Sequence, residues 1–271
     1  MKVLQTDGFI VFSDVAKTFQ SGSQSYTAIR DVTLSVRRGD VTMLLGPSGC
    51  GKSTLLNLTA GLIGPSQGGV TYDGAPIGGL NHRVAYDAAG SPAAMEDGLR
   101  QRFDPAGGRR TCERRSRSPS GGTSLPRGAR RLRRILSQPD FGRNAQALRA
   151  CATTRGQPET LLLDEPFGAL DAQLRLTLQA ELLRICRKLN LTVMFVTHDI
   201  EEAAALGDKC AVFQGRPGTI AKIFDNPLPK DRDLARLRFD PGHHDFTNGL
   251  WAMLTPDLAT TPSQSAIAAS A

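Results

Sequence analysis

The sequence contains no long hydrophobic run and no recognisable export signal. Its apolar stretches, such as residues 193–196, are far shorter than the roughly 20 residues that a membrane-spanning helix needs. The first residues include Asp7 and lack an apolar core followed by a small-residue cleavage site. We therefore expect a chain that neither crosses a membrane itself nor is secreted.

Cysteines are few and follow no pattern. The chain has an odd number of them and no C-x-x-C arrangement; they are Cys50, Cys112, Cys151, Cys186 and Cys210. A disulfide framework and a cysteine zinc site are therefore not expected. Reduced thiols in a cytoplasmic compartment are the better interpretation.

An excess of positive charge is missing from most of the chain, although the net charge is +7. Fifteen of the 26 arginines lie in residues 87–156, which contain six acidic residues and no lysine. That segment carries +9, so the remaining residues sum to −2. A basic surface spread over a folded domain is typical of nucleic-acid binding and is absent here, so no nucleic-acid partner is expected.

What the sequence does contain is a glycine-rich loop, GPSGCGKST, at residues 46–54. It follows residues 41–45, which predict a buried strand, and precedes residues 55–58, which predict a helix. Glycines let successive backbone N–H groups turn inward around a phosphate, while Lys52 adds a positive charge and Ser53 offers a hydroxyl to Mg²⁺. A loop that binds nothing is the alternative, which the flanking strand and helix disfavour. The predicted nucleoside triphosphate site comprises Gly46, Pro47, Ser48, Gly49, Cys50, Gly51, Lys52, Ser53 and Thr54.

Two adjacent carboxylates follow a second apolar strand. Residues 160–163 lead directly into Asp164 and Glu165. Buried carboxylates are costly unless they have a task. We expect Asp164 to hold Mg²⁺ together with Ser53, and Glu165 to orient and polarise the attacking water. A helix cap is the alternative interpretation of this pair.

A histidine follows the next predicted strand. Residues 172–189 carry apolar side chains at helical spacing, residues 192–196 predict a strand, and residues 200–206 begin another helix. His198 therefore lies at the carboxyl end of a strand, where open parallel sheets bind their ligands. We expect it to contact the γ-phosphate; a purely structural histidine is the alternative.

Three further features are single residues or short segments. Residues 9–12 and 32–36 predict an antiparallel sheet before the phosphate loop. The ring of nearby Phe19 can either stack on adenine or belong to the core.

His243 and His244 have no suitably spaced acidic or cysteine partner, so a solvated loop is favoured over a metal site. Residues 255–271 are small and polar, which predicts a frayed tail.

Together these blocks resemble the ATP-binding subunits of ATP-binding cassette (ABC) transporters. The matching stretches are GPSGCGKST, LLLDEPFGALD and VTHDIEEA, and the similarity covers residues 9–86 and 157–225. The stretch GRPGTIAKIFDNPLPKDRD resembles the importer branch for nitrate, sulfonate and taurine. The resemblance implies an α/β fold with a P-loop NTPase (RecA-like) core, an antiparallel β subdomain and a helical subdomain in residues 87–156. Residues 226–271 form a C-terminal extension in this scheme.

The same resemblance implies how such a chain works. Two subunits close head to tail over two ATP molecules bound with Mg²⁺, and Asp171 belongs to a loop that contacts the nucleotide. ATP hydrolysis then energises import through integral membrane permease subunits and, indirectly, a solute-binding protein. This places the chain peripherally on the cytoplasmic face of the cell membrane. The competing interpretations are a soluble ABC-type ATPase acting on nucleic acid through the arginine-rich segment, and a remnant that binds nucleotide without turnover.

Residues 87–156 depart from the family pattern. They contain neither an LSGGQ-like signature nor a glutamine where the family's coupling glutamine is expected. Read one nucleotide downstream, however, the codons for residues 86–90 permit Met-Thr-Gln-Gln-Asp, and those for residues 141–146 permit Ser-Gly-Gly-Met-Arg followed by Lys or Arg. Our hypothesis is that two compensating insertions or deletions put this segment out of frame, which disrupts the helical subdomain. An authentic, disordered arginine-rich insertion is the alternative.

The absent signature has a mechanistic consequence. In a homodimer, each nucleotide would lack the partner wall that positions the transition state. We therefore expect this chain to bind nucleotide but to hydrolyse it slowly or not at all.

Overall fold

The structure is a computed structural model, and it describes residues 8–22, 24–87, 158–168 and 171–254. The hypothesis about residues 87–156 falls outside these ranges apart from the backbone of Asp87, and so does the predicted tail. In chain order the elements are β1 Ile10–Ser21, β2 Gln24–Val36, β3 Val41–Leu45, α1 Lys52–Thr59, β4 Gln67–Tyr72, β5 Ala75–Pro76, β6 Val84–Asp87, β7 Thr160–Asp164, α2 Ala172–Leu189, β8 Thr192–Thr197, α3 Ile200–Leu206, β9 Lys209–Gln214, β10 Thr219–Asp225, a 3₁₀ turn Leu237–Phe239, and α4 Pro241–Leu254.

A six-stranded sheet forms the centre, in the order β10-β9-β3-β8-β7-β6. Its neighbouring strands are parallel except β10, which is antiparallel to β9. Both faces are covered, so β3, β7 and β8 are buried along their whole length. The predicted α/β core is confirmed, and the carboxyl ends of β3, β8 and β7 meet at one edge.

A second, antiparallel sheet in the order β2-β1-β4-β5 packs with α1 against one face of the central sheet. Their shared core is apolar and includes Phe12, Leu34, Leu55 and Met194, all fully buried. The antiparallel sheet is therefore as predicted. Its first two strands extend well beyond residues 9–12 and 32–36, because they continue as a long hairpin whose outer residues are exposed and show no alternation of polarity.

The other face of the central sheet is covered by α2, α3 and α4. Helix α2 has the predicted bounds, and its Leu178, Leu182 and Ile185 are buried on one side. The carboxylate of Asp171 caps the helix by accepting a hydrogen bond from the Leu174 N–H at 3.0 Å. The helical periodicity in the sequence thus predicted both the element and the face that it buries.

Helix α4 corrects one prediction, because His243 and His244 lie in its first turn and not in a loop. His243 is only 5% exposed, and its Nε2 lies 3.2 Å from an Oε2 atom of Glu201. The reason is helical spacing: His243 stands three and seven residues before two buried apolar residues of α4 and enters the core with them. Trp251, the chain's one tryptophan, is 49% exposed on the same helix.

Four charged residues tie the two sheets together at the amino end of the central sheet. Arg83 donates from Nε and Nη2 to the Glu159 carboxylate at 2.6 and 2.8 Å, and from Nη2 to Asp73 at 2.7 Å. Arg38 reaches the same two carboxylates at 2.7 and 3.2 Å. The four side chains come from four separate segments, so the network stabilises long-range contacts. The pKa of Glu159 is held below its ordinary value, mainly by the hydrogen bonds from Arg83 and also by the one from Arg38.

Replacing Glu159 with glutamine is expected to lower the free energy of unfolding by about 1 kcal/mol at neutral pH, as for a partly exposed charge network. Because the folded-state pKa of Glu159 is lowered, its contribution is complete above the ordinary value of 4.5 and is lost as the pH falls through the lowered pKa. Urea unfolding at several pH values should therefore show the two proteins converging in acid. Glu181→Gln, which affects only a local pair within α2, serves as the control. A Glu159→Gln deficit that is the same at every pH would contradict the assignment.

Among the helices in the described part of the chain, none combines the length and the apolar character that crossing a bilayer demands.

Candidate functional site

The glycine-rich loop joins the carboxyl end of β3 to α1, as predicted. Gly51 has a φ of +88°, and a Cβ there would lie 2.3 Å from Ile29 and 2.8 Å from the carbonyl oxygen of Ala28. Gly46 likewise approaches the carbonyl of Phe213, at 2.6 Å from where a Cβ would stand. Glycine is therefore needed at both ends of the loop, where the backbone is left-handed or crowded.

Lys52 is the first residue of α1, and its side chain is buried against the loop that precedes it. Its Nζ donates to the carbonyl oxygens of Gly46 at 2.7 Å and Pro47 at 2.8 Å, and it lies 3.8 Å from the Sγ of Cys50. The loop thus holds an ammonium group within its own curve. Positive charge at this position, next to the first turn of α1, is suited to binding a phosphate chain.

Asp164 ends β7 and is buried, and its carboxylate accepts a hydrogen bond from the Ser53 hydroxyl. Burial raises its pKa, and the Ser53 hydrogen bond and the positive charge of Lys52 partly oppose that rise. A buried carboxylate that neighbouring groups compensate only partly is well suited to a cation. Together with a hydroxyl it offers the oxygen ligands that Mg²⁺ prefers.

Glu165 and His198 face one another across the ends of two neighbouring strands. Glu165 has a φ of +48°, unusual for a side chain, and its N–H donates to the carbonyl of Val196 at 3.0 Å. This backbone conformation turns the Glu165 side chain away from the direction taken by the Asp164 side chain. The Nδ1 of His198 lies 3.3 Å from an Oε1 atom of Glu165, and both side chains are partly exposed. The pair can therefore reach solvent and a bound substrate together.

A cavity of about 450 Å³ opens beside the loop. Phe19 lines this cavity and is 39% exposed, which excludes the core interpretation of its ring. The predicted residues in the wall of the cavity are Phe19, Ser48, Gly49, Gly51, Lys52, Ser53, Thr54, Asp164 and Glu165. Residues from β1, the phosphate loop and β7 are thus brought together around one space.

Five predicted residues lie outside this wall. Gly46, Pro47 and Cys50 belong to the loop and contact the Nζ of Lys52, while His198 contacts Glu165, which does line the cavity. Asp171 caps α2, and because residues 169 and 170 fall outside the described part of the chain, its contact with nucleotide stays a prediction.

Sequence reasoning missed Tyr26, which is 52% exposed and lines the same cavity. It lies directly opposite Phe19 in the β1–β2 hairpin. Directly opposed residues of an antiparallel pair project from the same face, so both rings are available to a planar base. The signal was available only once the strand register was known.

A buried carboxylate behind His198 was also missed. Glu202 accepts hydrogen bonds from the Thr197 hydroxyl and from Gln179 Nε2, the latter at 3.0 Å. Burial raises the pKa of Glu202. The Thr197 oxygen in turn accepts from the Asp199 N–H at 3.0 Å. The residues on both sides of His198 are therefore fixed by hydrogen bonds, which restrain the backbone that carries the histidine.

This chain is similar to known proteins both in sequence and in fold. A family model described as "ABC transporter" matches residues 29–96. The nitrate import ATP-binding protein NrtD of Synechococcus elongatus is 34% identical over 246 residues, which is 86% of this chain and 87% of the relative. The aliphatic sulfonates import ATP-binding protein SsuB 1 of Xanthomonas axonopodis pv. citri is 36% identical over 217 residues, 76% of this chain and 82% of the relative.

A solved structure shares the architecture. A dimeric ATP-binding cassette in a post-hydrolysis state, bound to ADP and Pi, has a TM-score of 0.57 and 22% identity. The match covers 80% of this chain and 98% of that one. At this identity the likeness shows the fold.

Proposed function

Because the chain belongs to the family of ABC transporter ATP-binding subunits, we propose that it is the ATP-binding and ATP-hydrolysing subunit of an importer for small anions of the nitrate, sulfonate or taurine type. Members of the family are ATPases. The narrower choice of solute rests on the names of the relatives and on the stretch at residues 215–233.

One observation carries the proposal: a phosphate loop, a buried carboxylate and a carboxylate–histidine pair converge at the carboxyl edge of one parallel sheet. Lys52 follows β3, Asp164 ends β7, and His198 follows β8, which lies between those strands. Ligands of such sheets bind at this edge. The cavity is lined both by aromatic rings that can stack on a base and by a lysine that can bind phosphates, which fits a nucleoside triphosphate.

Each of these residues has a proposed role in ATP hydrolysis. Lys52 and the loop N–H groups bind the phosphates and stabilise charge that develops on them. Glu165 accepts a hydrogen bond from water and orients it toward the γ-phosphorus, where an oxygen–phosphorus bond forms as the bond to the β-phosphate oxygen breaks. We propose that His198, whose Nδ1 lies beside the Glu165 carboxylate, contacts the γ-phosphate.

The residues present fit a magnesium ion. Ser53 and Asp164 are the side chains that would hold it, since the hydroxyl and the buried carboxylate are already hydrogen-bonded to each other. When bound, Mg²⁺ neutralises charge on the phosphates.

We propose a second copy of this chain as the partner that closes over ATP. Integral permease subunits, and through them a solute-binding protein, complete the transporter, with this chain peripheral on the cytoplasmic face of the membrane. Support comes from family membership. Co-purification of the full chain with permeases encoded beside it would test this arrangement, and labelled nitrate, sulfonate and taurine uptake would separate the solutes.

Binding of nucleotide is the first test. The purified full chain should bind a fluorescent ATP analogue saturably in the presence of Mg²⁺, and unlabelled ATP should displace it. A folded chain that shows no saturable binding would overturn the proposal. Binding to nucleic acid that weakens steeply with salt would instead favour an ATPase acting on nucleic acid.

Turnover is expected to be slow. Because residues 87–156 contain no signature sequence, ATP in a dimer of this chain lacks the partner wall that positions the transition state. Phosphate release by protein of verified sequence should stay well below about 1 per second, a common lower value for enzymes. Turnover at or above that rate would contradict the expectation while leaving nucleotide binding intact.

A further inference from the structure

We propose that Arg216 is a positioning residue for the phosphate loop. It belongs to the stretch GRPG at residues 215–218, which forms the turn between β9 and β10. Its Nη2 donates a hydrogen bond to the carbonyl oxygen of Ser48 at 2.9 Å. This turn therefore reaches the loop that the proposed function requires.

The contact fixes the orientation of one peptide unit in the loop. In a trans peptide, the C=O and the N–H of the following residue point in opposite directions. Holding the oxygen of Ser48 toward Arg216 therefore directs the N–H of Gly49 away from it. Backbone N–H groups of this loop are the donors that surround a phosphate, so the guanidinium sets the direction of one of them.

Glycine at position 49 makes the contact possible. Its φ is +80°, and a Cβ there would lie 3.1 Å from the Nη2 of Arg216. The guanidinium thus packs directly on the bare backbone of the loop. Gly49 itself lines the cavity, so the contact acts within one residue of the proposed phosphate site.

The turn that carries Arg216 is itself anchored. The N–H of Gly218 donates to the carbonyl of Ala28 at 2.9 Å, and the carbonyl of Gly218 accepts from the N–H of Arg30 at 3.0 Å. A Cβ at Gly218 would lie 1.8 Å from the carbonyl oxygen of Cys50, so the turn also packs on the loop. The backbone of the turn that carries Arg216 is therefore held in place by hydrogen bonds and packing.

A different role for Arg216, as a mobile positive charge that attracts phosphate, makes different predictions. The side chain is exposed, so a charge effect is screened by salt, whereas a hydrogen bond to a carbonyl persists. Lysine would restore a charge effect fully. Lysine would restore the hydrogen bond to the Ser48 carbonyl only in part, because an ammonium group lacks the planar shape and the fixed donor positions of a guanidinium.

The test compares wild type, Arg216→Ala and Arg216→Lys for binding of Mg²⁺-ATP, Mg²⁺-ADP and inorganic tripolyphosphate at low and high salt. Losing one hydrogen bond of about 1 kcal/mol weakens binding about fivefold. We expect that loss for Arg216→Ala with all three ligands and at both salt concentrations, with lysine intermediate. Hydrogen exchange of the backbone N–H groups of residues 48–50 in the nucleotide-free chain should also be faster in Arg216→Ala. Arg236→Ala, an exposed arginine paired with Asp233, is the matched control and should equal wild type.

The inference rests on the proposed function, but different results would contradict the proposed function and the role of Arg216. A wild-type chain that binds none of the ligands contradicts the proposed function, while hydrogen exchange at residues 48–50 still tests the role of Arg216. Unchanged exchange in Arg216→Ala overturns the inference. So does a binding loss that vanishes at high salt or is fully restored by lysine.

Discussion

Replacing Lys52 with alanine is expected to weaken binding of Mg²⁺-ATP roughly 100-fold or more, because two hydrogen bonds to charged phosphate oxygens are lost at about 1.5–3 kcal/mol each. The side chain is buried within the loop, and no solvent-exposed lysine can substitute for it in that position. Its ammonium group already donates to the carbonyls of Gly46 and Pro47, which shows that the loop is shaped around a cation. Fluorescent ATP titration of the full chain measures the effect.

The control separates a local from a general loss. Lys188→Ala removes an exposed lysine in the last turn of α2 and should bind ATP as wild type does. Thermal unfolding of both variants without nucleotide checks that the folded state survives. A folded Lys52→Ala protein with wild-type affinity would contradict the assignment of the phosphate loop.

Replacing Asp208 with alanine is expected to lower the free energy of unfolding by about 3–5 kcal/mol, the cost of leaving a buried charge without its partner. Its Oδ1 accepts from Arg187 at 2.5 Å and from Arg232 at 3.3 Å, while Oδ2 accepts from the Val41 N–H at 2.8 Å. The side chain of Arg232 is 2% exposed, and burial lowers its pKa. Without the carboxylate, the buried guanidinium of Arg232 would lose its counter-ion and would be left close to the partly exposed positive charge of Arg187. Urea unfolding measures the loss.

A second substitution tests the cause. Arg232→Met removes one of the two stranded charges, so the double variant should be more stable than Asp208→Ala alone, giving a clear coupling term in a double-mutant cycle. Asp225→Ala, at an exposed carboxylate 3.9 Å from Lys209, should change stability by less than about 0.5 kcal/mol. An Asp208→Ala loss below about 1 kcal/mol, or a double variant less stable than the single one, would rule out this explanation.

Local patterns were sufficient for the phosphate loop and for the elements that carry Asp164 and His198. Strand β3 and helices α2 and α3 have their predicted bounds, since buried strands and amphipathic helices impose short-range periodicity on the sequence. The phosphate loop needs glycine at defined positions, and those positions are visible without any tertiary information. This is why the sequence located most of the candidate site.

Long-range contacts were not predictable in the same way. Tyr26 enters the cavity through strand register, and Arg216 reaches Ser48 across 168 positions of the chain. The burial of His243 depends on which face of α4 packs inward, which the loop interpretation overlooked. The out-of-frame hypothesis for residues 87–156 stays a prediction, and the DNA sequence of that region would decide it.

The single indole of the chain gives the molecule a built-in optical reporter. Trp251 stands half exposed on α4, and α4 packs on the face of the central sheet opposite α1 and the antiparallel sheet. Emission excited selectively from tryptophan therefore comes from one known place. A blue shift upon mixing with a protein that contains no tryptophan would show, without labelling, that the surroundings of Trp251 on α4 become less polar.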